Sequence, residues 1–311
     1  MSEQYPLSLN QDDFARLFGE TGELPDECKA IIEKYDFSYR ILEGEERDQV
    51  VLNLVKALDT PLPVSGPKRL PKWEEGWGEN LLNFRSSGFD PEALIPGYYR
   101  RGPSVMRIDD QLGFPNNPMF EYHFFEVLQA WLANKFLPNV DTAYEFGCGP
   151  AHNLLAFGSL YPKKKYVGLD WARASQEIIL EINNNFGINV SGQRFDMLKD
   201  NEFPKIEKNS VVFTIGAMEQ LGNKYDKFFD YLYSQGADTY IHVEPIIEMH
   251  EIETLLGYLG RRYFEKRNYL NGYLDHLRSY ADTGAIKINE CRRILGNVSY
   301  FGWCLIVWQK T

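Results

Sequence analysis

The chain has 311 residues, of which 44% are hydrophobic and 14% aromatic, enough for a packed core in one large domain or two smaller ones. Its formal net charge of −11 argues against the broad basic face that nucleic-acid binding requires. The sequence has no apolar run of about 18 residues and begins with polar and acidic residues, so we expect neither a membrane partner nor a signal peptide. Four scattered cysteines without a C-x-x-C pair predict reduced thiols in a cytoplasmic protein.

The first third of the chain is predicted to be helical and irregular. Apolar residues recur about every 3.6 positions in residues 12–18 and 48–58, which predicts two helices. Residues 61–71 contain four prolines and predict a linker or an extended arm. Residues 72–120 are rich in aromatic residues, Arg, Gly and Pro and show little periodicity. We therefore interpret residues 1–117 as a cap or substrate-binding segment.

The remaining residues, 118–311, predict an α/β domain. An amphipathic helix is expected at 120–136. Apolar strands then alternate with helical stretches, which indicates a parallel, doubly wound sheet. The predicted strands lie at 142–146, 165–170, 193–198, 210–217 and 239–245. Residues 246–283 are expected to form a helical insertion that contacts substrate, and residues 285–290 and 299–308 a strand pair joined by a turn at 296–297.

A glycine-rich turn follows the first of these strands. Gly147 and Gly149 allow the backbone to bend sharply and to approach a ligand closely, and the next helix directs its free N–H groups at that ligand. A dinucleotide site needs a small residue five places after the first glycine, where this chain has His152. Glu145, by contrast, is well placed to accept hydrogen bonds from an ammonium group. A cationic amino-acid cofactor therefore fits better than a pyrophosphate, and a nicotinamide-dependent oxidoreductase is the disfavoured alternative.

Acidic residues also occur at the ends of the next two strands. Asp170 is suited to accept both hydroxyls of a ribose, Trp171 to stack on a base, and Asp196 to face an adenine amino group. Capping of a helix N-terminus is the alternative for each aspartate, and core packing is the alternative for Trp171.

With these features, residues 118–311 resemble the class I S-adenosylmethionine-dependent methyltransferases, and more loosely the bacterial enzymes associated with surface-polysaccharide genes. The resemblance implies a Rossmann-like, doubly wound, seven-stranded sheet that is mostly parallel, with an antiparallel C-terminal hairpin. It also implies S-adenosylmethionine as the cofactor and S-adenosylhomocysteine as its product. The expected cofactor residues are Glu145, Gly147, Cys148, Gly149, Asn153, Asp170, Trp171, Asp196, Met197, Gly216, Ala217 and Gln220.

Methyl transfer from a sulfonium is an in-line displacement, so positioning contributes most and a base assists a hydroxyl acceptor. The candidate bases are Glu219, Glu244, His123 and His152, which the sequence does not rank. We expect no metal, because the fourth strand ends without the aspartate that metal-dependent relatives carry there.

Two segments combine aromatic residues with arginines, a pairing suited to sugars and phosphates. Their candidate substrate residues are Tyr98, Tyr99, Arg100, Arg107, Tyr263 and Arg267. These segments predict a small anionic acceptor, such as a nucleotide-linked or phosphorylated sugar, unless they are a solvated helix face and a structural aromatic cluster. An N-methyltransferase acting on an amino sugar or another small amine, and a cofactor-binding protein without turnover, remain alternatives. A homodimer is compatible with the sequence.

Overall fold

The computed structural model describes residues 7–199 and 204–311. Residues 1–6 of the predicted N-terminal segment lie outside these ranges. The described helices are α1 (Gln11–Phe18), α2 (Asp26–Lys34), α3 (Gly44–Leu58), α4 (Leu70–Ser86), α5 (Phe120–Phe136), α6 (His152–Leu160), α7 (Arg173–Phe186), α8 (Asp226–Ser234), α9 (Leu255–Arg267) and α10 (Tyr273–Asp282). The described strands are β1 (Leu7–Ser8), β2 (Ser38–Ile41), β3 (Met106–Ile108), β4 (Gln111–Pro115), β5 (Thr142–Phe146), β6 (Lys165–Asp170), β7 (Val190–Arg194), β8 (Ser210–Ile215), β9 (Thr239–Glu244), β10 (Ile286–Asn297) and β11 (Trp303–Lys310).

The centre of the sheet is parallel and doubly wound. Strands β7, β6, β5, β8 and β9 are neighbours in that order, and all of their pairings are parallel. Every residue of β5 and β8 is buried, as expected for strands covered by helices on both faces. The direction of winding reverses between β5 and β8, and a ligand crevice forms beyond the carboxyl ends of strands at such a point.

The expectation of a seven-stranded sheet was wrong, because the described residues form a sheet of eleven strands. The antiparallel strands β11 and β10 complete a seven-stranded part next to β9, as predicted. The other four, β1 to β4, come from residues expected to be helical or irregular and continue the sheet beyond β10. These strands are two to five residues long, too short for an alternating pattern to be recognised.

The predicted turn at residues 296–297 lies instead at the end of strand β10. A Cβ atom on Gly296 would lie 2.7 Å from the carbonyl oxygen of Tyr300 and 3.0 Å from Cα of Phe301. Glycine at position 296 therefore allows the following loop to approach the strand closely, which is a common reason for glycine within a strand.

The N-terminal helices share a core with the α/β part of the chain. The ring of Phe14 lies 4.9 Å from that of Phe124, and the ring of Phe18 lies 5.0 Å from that of Trp131. All four side chains are almost completely buried. Helices α1 and α5 are therefore joined by one continuous aromatic cluster.

Helix α4 lies in the proline-rich and aromatic region where the sequence showed no period. Gly76 and Gly78 lower its helix propensity, whereas Pro71 is well tolerated in its first turn. The helix is held against α7 by tertiary contacts: the carboxylate of Glu74 accepts hydrogen bonds from the backbone N–H groups of Arg173 (2.7 Å) and Ala174 (3.0 Å). None of the helices in the described ranges is long and apolar enough to cross a membrane.

Candidate functional site

A cleft of about 730 Å³ opens at the carboxyl ends of β5, β6, β7 and β8. Eleven of the twelve predicted cofactor residues line it, and Glu145 is the exception. The eleven are Gly147, Cys148, Gly149, Asn153, Asp170, Trp171, Asp196, Met197, Gly216, Ala217 and Gln220.

The glycine loop between β5 and α6 forms the floor of the cleft. Gly147 has φ +72° and Gly149 has φ +53°, values that side chains disfavour. A Cβ atom on Gly147 would lie 2.2 Å from Cβ of Ala217, and one on Gly149 would lie 3.0 Å from the ring of Trp77. The loop is thus packed between the end of β8 and helix α4, and glycine is needed at both positions.

Glu145 lies behind the cleft, at the end of β5, and is fully buried. The side-chain amide of Asn153, which lines the cleft, donates to one carboxylate oxygen of Glu145 at 2.5 Å. Within the described part of the chain, the other oxygen has no hydrogen-bond partner. Burial raises the pKa of Glu145 to about 8, and the hydrogen bond from Asn153 opposes this. A buried carboxylate with an unused oxygen suits a cationic group nearby, because burying it alone is costly.

Asp170 combines the two roles considered for it from the sequence. Its two carboxylate oxygens accept hydrogen bonds from the backbone N–H groups of Gly149 (2.9 Å) and Ala172 (2.8 Å), which joins the glycine loop to the start of α7. A carboxylate has about four lone-pair sites, so both oxygens can still accept a ribose hydroxyl. Burial raises the pKa of Asp170 to about 6, and the two backbone hydrogen bonds lower it.

Tryptophans cover the cleft on the side of α4. Trp73 and Trp77, one turn apart on α4, stack with ring centres 5.4 Å apart, and Trp171 packs in the same cluster. Trp73, Trp77 and Trp171 all line the cleft. Asp196 lies opposite, after β7, where its carboxylate accepts the backbone N–H of Leu198 at 3.0 Å. The structure thus brings Trp73 and Trp77 to the predicted cofactor loop.

Glu219, a predicted base, does not line the cleft itself, but its side chain is hydrogen-bonded to Gln220, which does. It lies on a short 3-10 turn after β8, and its carboxylate accepts a hydrogen bond from the side-chain amide of Gln220 at 2.9 Å. Burial raises the pKa of Glu219 to about 7, while Gln220, Arg267 and Arg69 act to lower it. A carboxyl group with a pKa near neutrality is suited to accept a proton.

The three other predicted bases occupy different environments. Glu244 is fully buried, holds the backbone N–H of Ala217 at 3.0 Å, and does not line the cleft. Burial raises its pKa to about 8. His152 lines the cleft, and burial lowers its pKa to about 3, so its ring is neutral. The structure does not bring His123 to the cleft, because its ring stacks on Tyr35 with centres 3.6 Å apart.

Four of the six predicted substrate residues fall into two pairs. Tyr98 lines the cleft and also a second cavity of about 710 Å³, which Tyr99 helps to line. Tyr263 and Arg267 lie together on α9, where the guanidinium of Arg267 donates to the hydroxyl of Tyr263 at 3.1 Å. Burial and the neighbouring Glu219 raise the pKa of Tyr98 and Tyr263, so both phenols are neutral.

The structure does not bring Arg100 and Arg107 to the cleft. Arg100 is at the surface and donates to the carbonyl of Glu92 at 2.6 Å. Arg107 lies on β3, between β4 and β10, so it is only 1% exposed. It is ion-paired with Asp110 and lies 4.4 Å from the ring centre of Phe301. A buried guanidinium that is already paired and stacked has a structural role.

Sequence reasoning missed Glu74 and Arg69. Both lie in or beside a segment without periodicity. Only the packing of α4 brings Glu74 to the backbone of α7, about a hundred positions away, so no sequence pattern identifies it. Arg69 lies 5.8 Å from the ring of Trp73, four positions later. Among the residues that the structure describes, no cluster of three or more His, Cys, Asp or Glu side chains could hold a metal ion.

No family model matches the chain, and no curated protein matches it. Solved structures of similar fold include geranyl diphosphate methyltransferase in complex with GPP and sinefungin, 14% identical, with 79% of this chain and 100% of that chain covered and a TM-score of 0.48. Another is the O-methyltransferase of a trans-AT PKS multienzyme of Brevibacillus brevis with S-adenosyl-L-homocysteine, 16% identical, with 62% and 74% covered and a TM-score of 0.46. A third is magnesium protoporphyrin IX methyltransferase from Synechocystis with bound SAH, 13% identical, with 59% and 80% covered and a TM-score of 0.43. Likenesses this distant assign neither a cofactor nor a reaction to this chain, so its function must be argued from its own residues.

Proposed function

We propose that this protein is a methyltransferase that moves a methyl group from S-adenosylmethionine to a small acceptor. One observation carries the proposal: Asp170 and Asp196 line one cleft at the ends of neighbouring parallel strands, and Glu145 lies directly behind it. Glu145, with an oxygen that no described residue satisfies, suits the ammonium end of the cofactor. Asp170 suits its ribose and Asp196 its adenine. The glycine loop between them lines the cleft at Gly147 and Gly149 and has no room for a Cβ atom at Gly147, where Cβ of Ala217 would lie 2.2 Å away.

The chain's own residues supply binding, exclusion of water and proton transfer. Bound S-adenosylmethionine would supply a methyl group activated by a sulfonium. Asn153 and Gln220, which line the cleft, would orient the amino-acid end, and Trp73 and Trp77 would keep water from the cofactor. Holding the acceptor in line with the methyl group is worth up to ~7–11 kcal/mol. Glu219 would remove the proton from the acceptor hydroxyl, an effect of roughly 10²–10⁴-fold.

The acceptor that we propose is a hydroxyl of a small anionic molecule of the sugar or sugar-phosphate type, without a metal. Tyrosines and arginines beside Glu219, such as Tyr263 and Arg267, support this choice because aromatic faces and guanidinium groups bind sugars and anions. The carboxylate of Glu219 together with neighbouring phenols also favours a second candidate, an amino group of an amino sugar or another small amine. A cofactor-binding protein without turnover is the third candidate.

Calorimetric titration with S-adenosylhomocysteine, with NADH as the control ligand, tests the cofactor assignment. We expect micromolar binding of S-adenosylhomocysteine and none of NADH. In the Asp170→Ala variant the affinity should fall by about 1–3 kcal/mol, because a charged hydrogen-bond acceptor for the ribose is lost. Asp238→Ala is the matched control, since Asp238 is exposed and precedes β9 at the opposite end of the sheet.

Absence of S-adenosylhomocysteine binding to the unaltered protein would contradict the proposal, and binding of NADH instead would favour an oxidoreductase. Unchanged affinity in a folded Asp170→Ala variant would remove Asp170 from the site. Transfer of a labelled methyl group to sugar phosphates or to amino sugars then separates the first two candidates. Cofactor binding without methyl transfer to any acceptor would favour the third candidate, a cofactor-binding protein without turnover.

A further inference from the structure

Two arginines from distant parts of the chain lie near Glu219. The guanidinium of Arg267 is 4.7 Å from the ring centre of Tyr269 at the end of α9. That of Arg69, which directly precedes α4, is 5.8 Å from the ring centre of Trp73. Both guanidinium groups lower the pKa of Glu219 electrostatically. Trp73 lines the cleft, so the pair stands beside the predicted cofactor site.

These two arginines lack the carboxylate partner that three other buried or partly buried arginines have. Arg107 and Arg293 pair with Asp110, and Arg292 pairs with Glu290. In residues 7–199 and 204–311, neither Arg69 nor Arg267 forms an ion pair. The Nε atom of each is buried without a hydrogen-bond partner, as is the Nε atom of the ion-paired Arg107 and Arg292. In a chain of net charge −11, carboxylates were available to pair with them. A guanidinium that is partly desolvated and unpaired is costly unless an anion completes its environment.

The main chain holds the two arginines in a fixed relation to the cleft. The backbone N–H of Ser65 donates to the carbonyl of Arg267 at 2.8 Å, and the hydroxyl of Ser65 donates to the carbonyl of Asn268. The backbone N–H of Gly66 donates to the side-chain oxygen of Gln220 at 3.3 Å. The segment before Arg69 is therefore tied both to the end of α9 and to a residue that lines the cleft. Such a frame preorganises the pair for a ligand.

We propose that Arg69 and Arg267 together bind the anionic group of the acceptor, a phosphoryl or carboxylate group, and so present its hydroxyl to Glu219. This inference rests on the proposed methyl transfer and specifies the acceptor of that same site. Guanidinium groups bind phosphate and carboxylate in a planar, bidentate manner, and stacking on Trp73 and Tyr269 keeps both planes oriented. An acceptor without a negative charge would leave both guanidinium groups unsatisfied and is therefore rejected.

Inorganic phosphate and acetate, titrated by nuclear magnetic resonance into the full-length protein, test the inference and distinguish the two kinds of anion. We expect the unaltered protein to bind at least one of them. Arg69→Gln and Arg267→Gln should each weaken that binding by about tenfold or more, because a charged hydrogen-bond donor is lost. Arg69→Lys and Arg267→Lys should restore part of it. Tighter binding of phosphate would identify a phosphoryl acceptor, and tighter binding of acetate a carboxylate acceptor.

Arg262→Gln is the matched control, since Arg262 lies on the same helix but is exposed and paired with Glu265 at 2.9 Å. Its anion affinity should stay within about twofold of the unaltered protein, as for a surface ion pair. Binding of neither anion, or equal binding to all variants, would overturn the inference. S-adenosylhomocysteine affinity is measured on every variant and should not change. If S-adenosylhomocysteine still binds when anion binding fails, the cofactor assignment stands and only the anion site is contradicted. If S-adenosylhomocysteine does not bind, the cofactor assignment is contradicted.

Discussion

At the scale of single residues, the environment of each carboxyl group decides what it can do. Glu145 and Glu244 are fully buried, and burial raises the pKa of each to about 8. Burial raises the pKa of Glu219 only to about 7, because the hydrogen bond from Gln220 and the charges of Arg267 and Arg69 lower it. The sequence named Glu219 and Glu244 as equal candidates for the base, whereas their surroundings favour Glu219. Glu244 instead anchors the backbone of Ala217.

Replacement of Glu219 by Gln should reduce turnover by roughly 10²–10⁴-fold while cofactor affinity stays nearly unchanged. A base acts in its deprotonated form, so the activity of the unaltered protein should rise with pH through about 7 and reach a plateau above. The variant should lose this rise. A pH–rate profile of methyl transfer, with exposed Glu265→Gln as the control, measures both effects. Parallel loss of turnover and cofactor affinity would instead assign Glu219 to cofactor binding.

At the scale of secondary-structure elements, helix α4 is the part that closes the cleft. It reaches α7 at two places: Glu74 caps the first N–H groups of α7, and Arg85 forms an ion pair with Glu181 at 2.8 Å. Between these contacts, Trp77 covers Gly149. An acidic side chain at a helix N-terminus satisfies unpaired N–H groups and the helix dipole. Here that side chain comes from another helix, so one contact both caps α7 and holds α4 over the glycine loop.

Replacement of Glu74 by Gln should loosen α4 and weaken S-adenosylhomocysteine binding, because Trp73 and Trp77 would cover the cleft less closely. The loss of a capping interaction is worth about 0.5–2 kcal/mol. Calorimetry gives the affinity, and Glu75→Gln is the matched control because Glu75 is exposed and pairs only with Lys72 in the described residues. Equal affinities for the two variants would show that α4 does not need this contact to cover the cofactor site.

At the scale of the whole molecule, the N-terminal segment and the α/β part behave as one packed body. Strands β1 to β4 continue the sheet, and Phe14 and Phe18 enter the same core as α5. The acceptor side of the proposed site depends on this shared packing, since Arg69 lies in the N-terminal segment and Arg267 in the α/β part. A truncated α/β part would lack both the tryptophan cover and half of the proposed anion site.

The shared core predicts that Phe14→Ala lowers the free energy of unfolding of the entire chain by about 3–5 kcal/mol, as for other buried phenylalanines. Chemical denaturation followed by circular dichroism and by tryptophan fluorescence should give one coincident, shifted transition. Leu52→Ala is the control, because Leu52 is 44% exposed and should change stability little. A separate early transition confined to the N-terminal helices would show that this segment unfolds independently.

The sequence by itself determined the features that depend on local order along the chain. The strand, glycine turn and helix from Thr142 to Leu160 have a fixed spacing, and acidic residues at strand ends must meet at one edge of a parallel sheet. Eleven of the predicted cofactor residues accordingly line one cleft. The strand pair of β10 and β11 was also predictable, and the apolar run in β11 is its clearest signal.

Only the tertiary structure decided which distant groups meet. Four short edge strands carry no periodic signal, and the pairing of β3 with β10 is what buries Arg107 and removes it from the acceptor side. The capping of α7 by Glu74 joins residues about a hundred positions apart. Arg69 lies in a segment that was predicted to be a linker or an extended arm. Hydrogen bonds from Ser65 to the end of α9 hold this segment, and Arg69 with it, beside the proposed acceptor site. Long-range contacts of this kind are set by packing and by the satisfaction of buried polar groups, which local sequence patterns do not encode.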